Sequence, residues 1–381
     1  MDRDTLHRLL RLGIEKGASD IHFQVGYLPL YRFHGELVEL RYKVLTPADT
    51  EAIANLLLAD DPYERSLDFD ELDLAFELPG EGRFRVNISR QRRCFNIVLR
   101  VIPLSIRSFE ELNLPGSLRE ITRLQRGYVL VTGATGNGKS TTLASMINEI
   151  NRTRKAKIIT IEDPIEFVFA HERSIITQRE IGTDTRSFPD ALHAALRQDP
   201  DVIMVGELRD LETVDTSLKA AETGHLVFST IHTSDVVSTI NRIVSFFPSE
   251  EQPQVRARLA DNLKAVISLR LLTNKKRDGR VPAVEVMRTT RTIQECIKDP
   301  GRTAELTEFI ARGRSELMQT FDQHLLDLLR ASKISVETAL QAASNPADFQ
   351  TKLALEGDAD GAPEAEEKPL EPIEIEDDSR F

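Results

Sequence analysis

Cysteine is nearly absent from this chain, and the two that occur are not placed to work together. Cys94 and Cys296 form no CxxC pair and no finger-like spacing, which excludes a disulfide framework and a cysteine-held zinc and suits a reducing cytosol. Long apolar runs are missing as well, and no secretory leader is visible. Any membrane association is therefore expected to come through partners rather than by direct insertion. Nor is there a basic surplus. The net charge is -12, of which residues 356–381 contribute -9 and the rest of the chain only -3. That balance argues against a nucleic-acid-binding body, although a local basic channel is compatible with an acidic average.

What the chain does have is a phosphate-binding loop. Residues 133–140 read GATGNGKS, fitting the pattern of glycine, four residues, glycine, lysine, then serine or threonine. The preceding Tyr128 to Thr132 is an apolar, β-branched run that predicts a buried strand, and the residues after Ser140 have helical spacing. A glycine-rich turn between the two aims backbone N–H groups and a helix N-terminus at phosphate. Gly133, Ala134, Thr135, Gly136, Asn137, Gly138, Lys139, Ser140 and Thr141 are the nucleotide-binding candidates. Lys139 is expected to reach the β- and γ-phosphates, and Ser140 to hold Mg²⁺.

At 381 residues the chain has room for two cores and a tail. Residues 1–16 have amphipathic helical spacing, a strand follows at 17–23, and Pro29 to Leu40 has hairpin character around Gly35. Thr46 and Pro47 mark a helix start, and 72–103 reads as strands broken near Pro79-Gly80 and Gln91. These define an α+β domain over 1–102, followed by a linker at 103–115, an α/β nucleotide-binding core at 116–290 and a helical region at 291–355. Within the core, 263–272 (LKAVISLRLL) is read as an apolar helix and 281–287 as a strand. The acidic stretch 356–381 holds too little apolar surface for a core and is expected to be disordered, either solubilising the chain or meeting a basic partner.

Carboxylates follow two further apolar runs. Ala156 to Ile161 is a second parallel-type strand ending in Glu162, and Val202 to Val205 another, ending in Gly206-Glu207. Acids at the carboxyl ends of strands beside a P-loop strand stand where open α/β sheets place ligands. Glu162 is the candidate base that orients the attacking water, with capping of the next turn as its structural alternative. Glu207 is the candidate for the Mg²⁺ and water network, and Arg209 and Asp210 are read as pairing at the strand edge or across a subunit contact. A third run, Leu226 to Thr230, is bracketed by His225 and His232, which fit a sensor of the γ-phosphate, with a packing role as the alternative and no cysteine or acid spaced for a metal cage. Arg83 and Arg85 share a strand face, and Arg90, Arg92 and Arg93 follow. They form either a solvated basic face or a set from which a neighbouring subunit's triphosphate is met.

Taken together, ASDIHF at 18–23, GATGNGKSTT at 133–142, ITIEDPIEF at 159–167, DPDVIMVGELRD at 199–210, GHLVFSTIHTSD at 224–235 and LKAVISLRLL at 263–272 resemble the secretion-ATPase superfamily. The closest resemblance is to its PilT/PilU type IV pilus retraction ATPases. That resemblance implies a PAS-like amino-terminal domain joined by a flexible linker to a RecA-like ATPase domain, and cytoplasmic hexamers at the inner-membrane face that use ATP and Mg²⁺. It also implies a pilus platform protein as partner, with Glu162 as catalytic glutamate, Glu207 at the end of an atypical Walker B strand, and a His box over 224–235. The tetracysteine motif of the assembly and type II secretion ATPases is missing. Residues 318–323 and the tail resemble the PilU-like branch, whose members depend on a paralogous retraction ATPase, and the AIRNLIRE motif typical of PilT is replaced by TIQECIKDPGRTAEL. Ala134 and Asn137 stand where the family usually has Pro and Ser, at positions where backbone N–H groups are expected to matter more than side chains.

Overall fold

A computed structural model describes residues 1–33, 35–59, 67, 69–102 and 105–357. Helix α1 (Arg3–Lys16) is capped by Asp2, which accepts from the backbone N–H of Thr5, and buries Leu6, Leu9 and Leu10. It leads into β1 (Asp20–Gln24), the hairpin β2 (Leu30–Phe33) and β3 (Glu36–Glu39), and α2 (Pro47–Leu58), whose Thr46 and Asp49 form a capping box. Strands β4 (Glu71–Leu78), β5 (Gly82–Gln91) and β6 (Cys94–Ile102) complete a six-stranded antiparallel sheet in the order β3-β2-β1-β6-β5-β4. Alternating burial along β5 (Phe84, Val86 and Ile88 inward) puts one face on α1 and α2 and leaves Arg83 and Arg85 on the other.

The chain then forms α3 (Ser117–Thr122), β7 (Gly127–Thr132), α4 (Lys139–Thr153), β8 (Lys157–Glu162), β9 (Ile175–Glu180), α5 (Phe188–Ala195), β10 (Val202–Val205), α6 (Leu211–Glu222), β11 (Leu226–Ile231), α7 (Val236–Ser245) and α8 (Gln252–Asn262). Strands β12 (Leu263–Thr273) and β13 (Arg280–Arg288) close a second sheet in the order β13-β12-β7-β11-β10-β8-β9. All its pairings are parallel except β12 with β13. Strands β7, β10 and β11 are buried at every position, as helices on both faces of a parallel sheet require.

The segment expected to be an apolar helix, 263–272, is therefore a strand. Its apolar run is continuous because β12 lies between β7 and β13 with both faces covered, and periodicity alone does not separate such a strand from a buried helix. The expected linker is partly core: Phe109 and Leu114 pack beneath the second sheet.

Helices α9 (Arg291–Lys298), α10 (Leu306–Arg312), α11 (Phe321–Arg330), α12 (Val336–Ala342) and α13 (Pro346–Gly357) finish the described chain. The α11 helix seals the sheet edge. The Nδ1 of buried His324 accepts the Val284 N–H of β13 at 2.9 Å, and burial pushes that imidazole down to about 4. Phe349 of α13 is fully buried in a cluster that also holds Phe321 and Leu325, a side chain whose burial contributes roughly 1.5–3 kcal/mol. The acidic residues from 358 onward lie outside the described residues.

Candidate functional site

Four parallel strands bring their carboxyl ends to one edge of the second sheet. Register pairs Thr132 with Ile231, Ser229 with Val205 and Val205 with Ile161, so the loops after β7, β11, β10 and β8 open side by side. They line a cavity of about 580 Å³ whose far wall comes from the first sheet, through Arg85 and Arg100.

The loop's shape rests on two glycines. Gly138 takes φ +84 at the start of α4, and a Cβ on Gly133 would come within 2.7 Å of the Leu269 carbonyl oxygen. Thr135, Gly136, Gly138, Lys139, Ser140 and Thr141 line the main cavity, while Ala134 and Asn137 face β12 across a smaller hollow. Lys139 is nearly buried; its Nζ donates to the carbonyls of Gly133 at 2.9 Å and Ala134 at 3.0 Å. Desolvation lowers its pKa, with Glu207 and Glu166 opposing.

Lys139 Nζ also lies 3.3 Å from His232 Nδ1, and His232 Nε2 lies 3.1 Å from Glu207 Oε1. A lysine only donates and a carboxylate only accepts, so an imidazole carrying its proton on Nε2 satisfies both contacts. The other Glu207 oxygen accepts from Arg209 Nε at 3.0 Å, and Arg209 Nη1 reaches Asp163 at 2.9 Å. Arg209 thus binds Glu207 and Asp163 rather than its neighbour Asp210, which caps α6. The far end of the His box is fixed by Glu285, buried on β13, which accepts the Val236 N–H at 2.9 Å.

Glu162 ends β8 with only 6% of its surface exposed. Burial pushes its carboxyl up to about 7, against hydrogen bonds that favour the ionised form, from Thr160 Oγ1 at 2.6 Å, Gln178 Nε2 at 3.2 Å and the Glu166 N–H at 3.4 Å. A carboxylate poised near neutrality in a cleft is suited to taking a proton.

Two expected site residues are elsewhere. His225 precedes β11 at its amino end, where Nδ1 contacts the Ala220 carbonyl oxygen at 2.9 Å and Thr223 Oγ1 at 3.1 Å. The six residues of β11 separate it from His232, roughly 20 Å at strand rise. Arg83 donates to Glu180 Oε2 of the same chain at 2.7 Å, tying β5 to β9. Glu180 in turn accepts the Ile165 N–H at 3.1 Å, just beyond Glu162. Arg90 lies over Phe95, and Arg92 and Arg93 form the β5–β6 turn at positive φ. Sequence reasoning missed Arg100 and Gln178. Arg100 is the cross-strand partner of Arg85, and an alternation count along β6 could have put the two on one face; nothing local marks Gln178.

A P-loop at the centre of a parallel sheet, with Glu162 and Glu207 at neighbouring strand ends and a histidine between lysine and acid, defines a RecA-like nucleoside-triphosphatase. Comparison with known proteins carries this further. The model of the type II/IV secretion system protein family matches residues 3–358. Over 341 residues the chain is 42% identical to the "Type IV pilus retractation ATPase PilT" of Pseudomonas aeruginosa, covering 90% of this chain and 98% of that protein. It is 39% identical to the "Type IV pilus ATPase PilU" of the same organism, covering 93% of each. A crystal structure of the pilus retraction motor PilT with bound ADP superposes with a TM-score of 0.83 at 44% identity, over 91% of this chain and 98% of that one. The chain belongs to the type II/IV secretion system protein family, in its PilT/PilU group of secretion ATPases, and is an ATP-hydrolysing motor enzyme.

Proposed function

We propose that this chain works as a ring of six copies at the cytoplasmic face of the inner membrane, where ATP hydrolysis drives retraction of a type IV pilus through the pilus platform protein. The observation that carries the proposal is the shared cavity. Arg85 and Arg100 stand directly opposite each other on β5 and β6, an arrangement of like charges that is unfavourable by itself. Asp20 meets Arg100 at 2.9 Å, and a bound triphosphate would neutralise the rest. Nucleotide held there touches both sheets, so cleavage and release change how one sheet sits on the other.

Lys139 and the loop N–H groups bind the phosphates, and His232 reads the γ-phosphate through its place between Lys139 and Glu207. Ionised Glu162 takes a proton from water as the water oxygen attacks the γ-phosphorus. The bond to the bridging oxygen then breaks to leave ADP and phosphate. Among the described residues no three His, Cys, Asp or Glu side chains cluster as a metal cage. Mg²⁺ would be held largely by phosphate and water, with the Ser140 hydroxyl and the Glu207 network supplying the protein's share. Bound there, Mg²⁺ would neutralise phosphate charge. Among the described residues no helix is long and apolar enough to cross a membrane; in this reading the location comes from attachment to the platform protein.

Live-cell imaging of labelled pili in a strain lacking only this gene tests the reading. Pili that extend and never retract support a primary retraction motor. Retraction that persists but fails under load assigns an accessory motor working with a paralogous retraction ATPase, in keeping with the similarity to PilU. Cells without pili would overturn retraction in favour of assembly.

A further inference from the structure

The P-loop carries a side chain that does the work of a missing strand residue. Parallel pairing of β7 with β12 ends at Thr132 and Ser268, where β7 turns into the loop, while β12 continues to Thr273 and stays paired with β13 on its other edge. The Leu269 carbonyl and the Leu271 N–H, on the β7 side, therefore lose their strand partner. Asn137 supplies one: its Nδ2 donates to the Leu269 carbonyl oxygen at 3.2 Å, and its Oδ1 accepts the Leu271 N–H at 3.4 Å. In a parallel ladder a residue opposite position 270 donates to the carbonyl before it and accepts from the N–H after it. The Asn137 amide makes that same pair from the middle of the loop.

The strand it grips is held firmly at this point. The Arg270 guanidinium lies 3.8 Å from the Phe321 ring centroid and donates to the Ala342 carbonyl oxygen at 2.7 Å. On the loop side, Gly133 lies against the same Leu269 carbonyl.

We propose that Asn137 is a positioning residue for nucleotide: its side-chain amide pairs with β12 and fixes the course of the P-loop, so that the loop N–H groups and Lys139 are presented to phosphate in one geometry. This rests on reading the loop as the nucleotide site. Backbone N–H groups bind well only when preorganised, and three glycines of this loop, Gly133, Gly136 and Gly138, take positive φ, where an untied backbone has the most freedom.

The test is binding of a fluorescent ADP analogue to the full-length chain between pH 5.5 and 8, with wild type and Lys139→Ala measured alongside Asn137→Asp and Asn137→Ala. An Asp carboxylate, ordinarily titrating near 3.9 and so ionised across this range, still accepts from Leu271 but cannot donate and sets its charge against the Leu269 carbonyl oxygen. Affinity of Asn137→Asp should therefore be about 10-fold or more below wild type at both ends of the range. Asn137→Ala should be weakened equally at both, with KM for ATP raised and kcat within about 3-fold of wild type. An Asp variant that tracks wild type throughout overturns the proposal. So does an Ala variant of wild-type affinity. Wild-type protein that fails to bind the probe, or binds it no better than Lys139→Ala, refutes the nucleotide reading itself, a separate result.

Discussion

Thr160→Val isolates what sets the working pH of Glu162. Thr160 is fully buried on β8 and its hydroxyl donates to Glu162 Oε1 at 2.6 Å, so valine keeps the shape, suits a strand, and removes one hydrogen bond to the ionised carboxylate. A hydrogen bond to a charged group contributes about 1.5–3 kcal/mol net. At 1.36 kcal/mol for each pH unit, the loss moves the Glu162 midpoint from about 7 to about 8–9. If ionised Glu162 is the base, the rate rises with pH through that midpoint in both proteins. At pH 7 about half of the wild-type sites carry the ionised form, against about 1–10% in the variant. Single-turnover ATP hydrolysis from pH 5.5 to 9.5 should show the acid limb displaced to higher pH, a deficit of about 5- to 50-fold at pH 7, and near-complete recovery at the alkaline end. A limb that stays in place while the plateau falls would refute the reasoning, because it would mean that Thr160 shapes the strand without controlling the proton.

Three other perturbations have defined outcomes. Lys139→Ala and Glu162→Gln should each abolish turnover, the first with weakened nucleotide binding and the second with affinity near wild type; binding titrations beside single-turnover rates separate them, and hydrolysis by Glu162→Gln would exclude it as base. His324 is neutral in the fold with its pKa lowered to about 4 by burial, so between there and its ordinary value near 6.5 the unfolded chain binds more protons. Stability therefore falls as pH drops through that window, by up to ~3 kcal/mol at its lower end. His324→Asn should flatten that dependence in denaturant titrations compared with wild type at each pH, a comparison in which the opposite trend from buried Glu162 and Glu285 cancels. Phe349→Ala, deleting the fully buried ring of α13, should destabilise by ~3–5 kcal/mol if α13 unfolds with the core; a loss well below that, with proteolysis confined to 346–357, would show that this helix opens separately.

The amino-acid order by itself determined the P-loop and its flanking strand and helix. It also determined the two acids and His232 at strand ends, and the helix start at Thr46 and Pro47. These depend on neighbouring residues: glycine spacing, apolar runs that end in a charge, a hydroxyl ahead of a proline. Tertiary structure decided everything that depends on what lies across from a residue. The continuous run at 263–272 became a strand because β7 and β13 cover its sides. His225 and His232 look equivalent around one strand, yet strand direction sends only His232 to the P-loop end. Arg83 and Arg85 share a face, but β9 offers Glu180 to the first and leaves the second facing the cavity. Burial, which raises Glu162 toward neutrality, comes from strands and loops distant along the chain. The role of the Asn137 side chain exists only because β12 outruns β7. Local spacing fixes which groups can do chemistry, and the packing of distant segments fixes which of them meet.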